Sequence, residues 1–210
     1  MFHVRHAQSR PRLGRRTRGF TFVEVIVGVA VMAILAMTIL PSLSASFERT
    51  EMEATVAMLV AVRDALFKPG AGSVAFYQRV GANAGKLSEL TNAIVAGNRG
   101  VSDNSCGSAF NFIQAARWTA AGPFLNVNVD TTGLALPIGT AKNDLVRVPA
   151  NGGPGVLEVN ILSVRGEDAD LLDQLLDNGD GSASGSIRWT TVPVGGRTTV
   201  TFRIPINGAC

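Results

Sequence analysis

The chain has 210 residues, 19 of them basic and 16 acidic, for a net charge of +3. Six of the 19 (Arg5, Arg10, Arg12, Arg15, Arg16 and Arg18) stand in the first 18 residues, which leaves 13 basic against 16 acidic residues beyond them, a net of −3. That balance disfavours nucleic acid as a partner of the main body. Both histidines, His3 and His6, lie in the same basic stretch, so a body that starts after it has no Ser-His-Asp or Cys-His catalysis and no histidine-ligated zinc.

From Phe20 to Leu40 the chain reads FTFVEVIVGVAVMAILAMTIL, 21 residues with one charge, Glu24. At about 1.5 Å per residue a helix of that length covers roughly 30 Å, the thickness of a bilayer's hydrocarbon core. The arginines before it, with no acid among them, predict a cytoplasmic N-terminus and an exported remainder. An ordinary secretory signal fits poorly, because its apolar region should be about 7–15 residues long and end in a small-residue cleavage site. Here the run is longer, and the small residue, Gly19, precedes it. A twin-arginine signal at Arg15-Arg16 is interrupted by Arg18 and Gly19. Glu24 is the anomaly: a charge at the bilayer centre costs on the order of 2.5–3.5 kcal/mol on insertion scales, so such a residue usually has a partner. The plain alternative is that it lies near enough to the interface to stay hydrated.

Arg18-Gly19-Phe20-Thr21-Phe22-Val23-Glu24 resembles the processing site of type IV pilins and type II secretion pseudopilins: a glycine, a hydrophobic first residue of the processed chain, then glutamate as its fifth. Pro41, the twenty-second residue counted from Phe20, falls where that family often has a helix-kinking proline. The resemblance covers residues 18–41. Phe22 stands where leucine is commoner, and the leader is longer than those of many major pilins, which points to a minor pilin or minor pseudopilin. The resemblance implies removal of leader 1–19 by a prepilin peptidase cutting between Gly19 and Phe20, and N-methylation of the new Phe20 amine. It implies that residues 20–41 are transmembrane before assembly, with a kink at Pro41. Glu24 would then form a subunit-assembly salt bridge with the Phe20 ammonium of a neighbour. The partners implied are the peptidase, other pilin or pseudopilin subunits and an inner-membrane assembly platform. The location implied is a single-pass protein of the bacterial inner membrane with a periplasmic domain, later a filament.

Residues 42–68 carry the helix onwards. Met52, Val56, Leu59, Val62 and Leu66 recur at spacings of three and four, one apolar face, with Glu51, Thr55, Arg63 and Asp64 on a more polar side. Lys68-Pro69-Gly70 is the expected stop. Residues 69–210 form the exported domain. Leu87, Leu90 and Ile94 share a face in a short helical stretch, and Phe110, Ile113 and Trp118 are expected in the core rather than in a binding groove. Strands are expected at Phe124–Val129, Val156–Val164, Ser186–Thr191 and Arg197–Ile206. Val192–Gly196 would turn the last two into an antiparallel hairpin, and Pro205 suggests an edge or fraying strand. Between strands, EDADLLDQLLDNG reads as a helix with acids in its first turn and Leu171, Leu172, Leu175 and Leu176 inward. The expected fold is α+β and pilin-like: a long kinked N-terminal helix packed on an antiparallel sheet.

Two cysteines, Cys106 and Cys210, in an oxidising compartment allow one intrachain bridge, with two buried free thiols as the alternative. A C-terminal cysteine pinned to the body also resembles the disulfide-bounded C-terminal region of many type IV pilins. Asp177-Asn178-Gly179-Asp180-Gly181-Ser182 invites a calcium reading but fails the EF-hand spacing, and no acid stands at the twelfth position. A polar turn after a helix is expected there, with no metal and no cofactor. GANAG and NGGPG lack the lysine or acidic partner of a phosphate cradle. The carboxylates of residues 167–177 fall on a solvent face, not a cleft. The function expected is therefore a structural filament subunit rather than an enzyme. The alternative is a binding module displayed on a filament, touching a surface, DNA or a secretion substrate.

Overall fold

The computed structural model describes residues 20–67, 75–150 and 153–206, with the side chains of 38–45, 150, 153 and 154 left out. The leader 1–19, the stop at Lys68-Pro69-Gly70 and Cys210 lie outside the described residues. The chain divides into two compact units, Met1–Ser46 and Phe47–Cys210. One helix, α1, runs Phe22–Phe67 through both, unbroken at Pro41.

In the first unit every described side chain of α1 is exposed. Phe22, Val25, Ile26, Val29, Met32, Ile34 and Met37 are all at least half exposed, although they point around the whole circumference. Apolar all round is the pattern of a helix whose surface is meant for lipid or for other helices. Among the described residues no helix is long and apolar enough to cross a membrane.

The second unit is α+β. After α1 come α2 (Phe76–Val80), a 3-10 turn at Leu87–Leu90 and α3 (Phe112–Ala121). Then follow β1 (Gly133–Leu136), β2 (Gly139–Ala150), β3 (Gly153–Arg165), α4 (Gly166–Asp177), β4 (Ile187–Trp189) and β5 (Arg197–Pro205). The five strands form one antiparallel sheet in the order β1-β2-β3-β5-β4. Register follows the apolar alternation: Leu157 pairs with Ile204, Val159 with Phe202 and Ile161 with Val200, and all six are buried. A one-residue slip would turn that whole row to the other face. On the opposite face Glu158 lies across from Arg203, 3.2 Å apart, and Thr201 Oγ1 donates to Asn160 Oδ1 at 3.0 Å. Met52, Leu59, Val62 and Leu66 of α1 belong to the same core as these strands, so the amphipathic half of α1 is part of the domain.

Several sequence expectations are corrected. Phe124–Val129 is not a strand; it follows the cis Gly122–Pro123 bond and is a loop bent at Phe124 and Val127, with an isolated bridge at Val129. The first two strands are β1 and β2, which were not expected. Strand β5 is internal, lying between β3 and β4, and Pro205 merely ends it. Ile113, Leu171 and Leu175 are exposed, whereas Thr55 is buried, its hydroxyl donating to the Glu51 carbonyl at 2.9 Å. Phe110 and Trp118 are buried as expected. Phe76 and Phe110 meet edge-on, as do Phe76 and Phe124, and Trp118 and Phe124. The Trp118 indole N–H donates to the Glu89 carbonyl at 2.6 Å, so the aromatic cluster is core, not groove.

Candidate functional site

The start of α1 is set by its own residues. Thr21 precedes the first helical residue, and Glu24 stands three further on, the spacing of a capping box. The reciprocal contacts are present: Glu24 N–H donates to Thr21 Oγ1 at 3.3 Å, and Thr21 N–H donates to Glu24 Oε2 at 3.4 Å. The Thr21 hydroxyl is 3.5 Å from the same oxygen. A carboxylate also suits a helix N-terminus, where unpaired N–H groups leave a partial positive charge. These are long contacts, and hydrogen bonds weaken steeply at such lengths. The cap therefore holds the carboxylate loosely.

Among the described residues from Phe20 to Met37, Thr21 is the one other polar side chain. Phe20 is 84% exposed and Phe22 80%, followed by the apolar surface already described. Among the described residues Glu24 has no ion-pair partner, and its contacts go only to Thr21. Glu24 is thus an acid in the first turn of a helix whose described side chains from Phe22 to Met37 are otherwise apolar and exposed. The structure brings Phe20 and Glu24 to the same end of one helix. Gly19, the other half of the expected cleavage site, lies outside the described residues, and the side chain of Pro41 is not described. Thr21 is the functional neighbour that the sequence reading passed over. Its signal, threonine three residues ahead of a glutamate before an apolar run, was there to be found.

In the second unit the described acids that could share a metal ion are Asp173, Asp177 and Asp180, of which only the latter two had been considered together. Arg165 clamps Asp168 through two contacts of 2.8 and 3.0 Å and also reaches Glu48 at 3.6 Å. This group joins the start of α4 to α1 and is structural. Cys106 carries no free thiol, and its Sγ lies 2.7 Å from Arg147 Nη1. Its expected partner, Cys210, is outside the described residues.

The family model for the prokaryotic N-terminal methylation motif matches residues 14–40. The match takes in the end of the basic leader, the Gly19–Phe20 junction, Glu24 and the apolar run, so the chain carries the processing motif of type IV pilins and pseudopilins. No curated protein and no solved structure matches the chain.

Proposed function

We propose that the chain is a structural subunit of a membrane-based filament, a minor pilin or minor pseudopilin. It is made with a leader that is removed between Gly19 and Phe20 by prepilin peptidase, and the new Phe20 amine is methylated. Before assembly the segment Phe20–Leu40 anchors it in the inner membrane, with the leader cytoplasmic and the second unit periplasmic, as the arginine distribution favours. Cys106 and Cys210 pair in that oxidising compartment. On assembly the apolar half of α1 leaves lipid for the company of other subunits' helices, in a head-to-tail arrangement that does not close on itself.

The observation that carries this reading is Glu24. It is exposed, only loosely capped, without an ion-pair partner among the described residues, and set at one end of an apolar helix surface. Cleavage after Gly19 creates a cation, the Phe20 ammonium, at the depth where a lone carboxylate is most in need of one. The pairing has to be between subunits to drive assembly, and it supplies both register and neutralisation at once.

Exchange of this residue tests the proposal. Glu24→Ala is expected to yield a chain that is still inserted in the membrane and still trimmed. Its recovery in sheared or cross-linked filaments should fall by an order of magnitude or more, as loss of a desolvated ion pair of about 1.5–3 kcal/mol implies. Normal incorporation of Glu24→Ala would refute the assembly role.

A further inference from the structure

Three side chains expected in the core, Ile113, Leu171 and Leu175, lie on the surface of the second unit, and none of them stands alone there. On α3, Ile113 is 65% exposed and Phe112 beside it 81%. Ala116 and Ala120, which follow Phe112 at successive turns, are exposed too. Residues four apart lie one above the other on a helix surface, so the outward side of α3 is apolar along its length. Gly97 N–H donates to the Phe110 carbonyl at 2.8 Å, which ties the loop bearing the exposed Val95 and Val101 to the start of this helix. On α4, Leu171 and Leu175 make a second apolar stripe of the same spacing. Single exposed apolar side chains are ordinary, but grouped ones mark contact surfaces.

The two surfaces carry opposite charge. Residues 75–122, which include α3, hold four bases, Arg79, Lys86, Arg99 and Arg117, against two acids, Glu89 and Asp103. Glu89 is buried and Asp103 has a buried oxygen, whereas Arg79, Arg99 and Arg117 are exposed. Arg117 stands one turn after Ile113, and its Nη1 lies 3.2 Å from where a Cβ on Gly81 would be, at the end of α2 that bears Arg79. None of these three arginines has an ion pair among the described residues. Helix α4 is the reverse, with five acids and no base. Asp168 is taken by Arg165, Asp173 by the Gly181 N–H, and Asp177 by the Ser186 and Ile187 N–H groups. Glu167 and Asp170 remain, exposed beside Leu171, and Glu167 has only a 3.3 Å contact from the Gly195 N–H.

Within one molecule the two surfaces are held apart. Helix α3 packs on α2, and the Trp118 indole bonded to the Glu89 carbonyl fixes it to the 3-10 turn beside β1 and β2. Helix α4 packs on β3, β5 and β4. The sheet order β1-β2-β3-β5-β4 therefore sets α3 towards one edge and α4 towards the other. The two helices match in length, with 10 and 12 residues, about 15 and 18 Å.

We propose that the outward side of α3 on one copy of the chain docks on the outward side of α4 on another, with Phe112 and Ile113 against Leu171 and Leu175, and Arg117 facing Glu167 and Asp170. The occupant is a second copy because the chain itself holds the complement: a basic apolar helix face and an acidic apolar one, each without a partner of its own. The contact joins two different surfaces, so every added copy leaves one of each free and the series does not close on a two-fold axis. Second units would follow one another in this way along a filament, and that use rests on the filament reading above; the contact itself needs only two copies. It is a small interface, at the weak end of the range for specific contacts, and becomes effective where anchored copies are held at high local concentration.

Cross-linking of the full chain, reconstituted at high density in neutral lipid vesicles, tests the docking. Cys106 carries no free thiol, so an added cysteine is the reactive site, and a short bis-maleimide joins two of them without an oxidant. Ile113→Cys and Leu171→Cys, prepared separately and mixed, are expected to give a dimer and nothing longer, and neither alone should give one above background. Both substitutions in one chain should give a ladder of longer products. Val146→Cys, apolar and exposed on the outer face of the sheet, should give no dimer with Leu171→Cys. Arg117→Glu on the Ile113→Cys chain should lower the mixed yield about fivefold or more, and Asp170→Arg on the Leu171→Cys chain should restore it. Absence of the mixed dimer, an equal dimer from Ile113→Cys alone or from Val146→Cys, or a yield untouched by Arg117→Glu would overturn the docking, and failure of Asp170→Arg to restore the yield would overturn the charge pairing. Shielding of Ile113→Cys from a water-soluble maleimide by anionic vesicles, and not by a second copy, would give the α3 face to a membrane and overturn it too. Glu24 takes no part in this contact: normal incorporation of Glu24→Ala would refute the assembly role and leave these cross-links unchanged, and their absence would leave that role standing.

Discussion

A single residue, Glu89, shows how far burial can move an acid in this domain. It is 3% exposed, and loss of solvation pushes its carboxyl up to about 7, against the lowering pull of the Gly85 and Lys86 N–H groups and of the Lys86 charge. Asp103 adds a further push upward. A carboxyl raised in the native state holds its proton there while the unfolded chain releases it. Between about 4.5 and about 7 the folded state therefore binds the extra proton, and stability falls as pH rises through that window. Above it the loss is complete, up to about 3 kcal/mol for a shift of that size. Glu89→Gln keeps an oxygen for the Gly85 and Lys86 N–H groups and has no charge to bury. It is expected to be more stable than the wild type at pH 8, with the two converging near pH 5. Urea unfolding at both pH values measures this; parallel pH profiles for the two proteins would contradict it.

At the scale of elements, what could be read in the sequence and what could not differ in physical kind. The apolar spacing of Met52, Leu59, Val62 and Leu66 has one interpretation, a helix face, and all four are buried. Strands β3 and β5 were legible for the same reason: alternation with period two over many residues leaves little choice of register. Strands β1 and β2 were not. Pro137, Gly139 and the polar run Lys142-Asn143-Asp144 break the alternation, and a register shift between Ala141 and Leu145 absorbs the break. Backbone pairing, which composition does not reveal, holds that hairpin: a Cβ at Gly133 would meet the Ala141 carbonyl at 1.9 Å. In α4 the leucines come as neighbours, and adjacent residues point about 100° apart on a helix. Only one of each pair can face the core, and packing chose Ala169, Leu172 and partly Leu176, leaving Leu171 and Leu175 outside. The same choice turned Asp173 inward, although nothing in the spacing of the α4 acids marks it out from its neighbours. The helix assignment has its own consequence. Leu59→Ala is expected to destabilise the second unit by about 2–5 kcal/mol, seen as a lower denaturation midpoint. Ile26→Ala, on the exposed surface, should leave that midpoint unchanged. Equal midpoints for Leu59→Ala and the wild type would detach α1 from the core.

Taken as a whole, the molecule assigns different physics to its two units. Among its described residues the first has no buried side chain; the second closes a sheet and the rest of α1 around a single core. A chain built only to fold would not leave residues 20–37 so exposed and so apolar, and one built only to be tethered would not need an acid near the end of the tether. Both features make sense together if trimming of the arginine-rich leader supplies the missing positive charge. The N-terminal part of this reading is legible in Gly19, Phe20 and Glu24 alone, because a short motif with a chemical reason behind it needs no fold to be recognised. The most direct test is the mass of the N-terminal peptide from protein purified out of its native host. The account predicts a chain that begins at Phe20 with a methylated amine and lacks residues 1–19. A chain that begins at Met1, or at any residue other than Phe20, would contradict it.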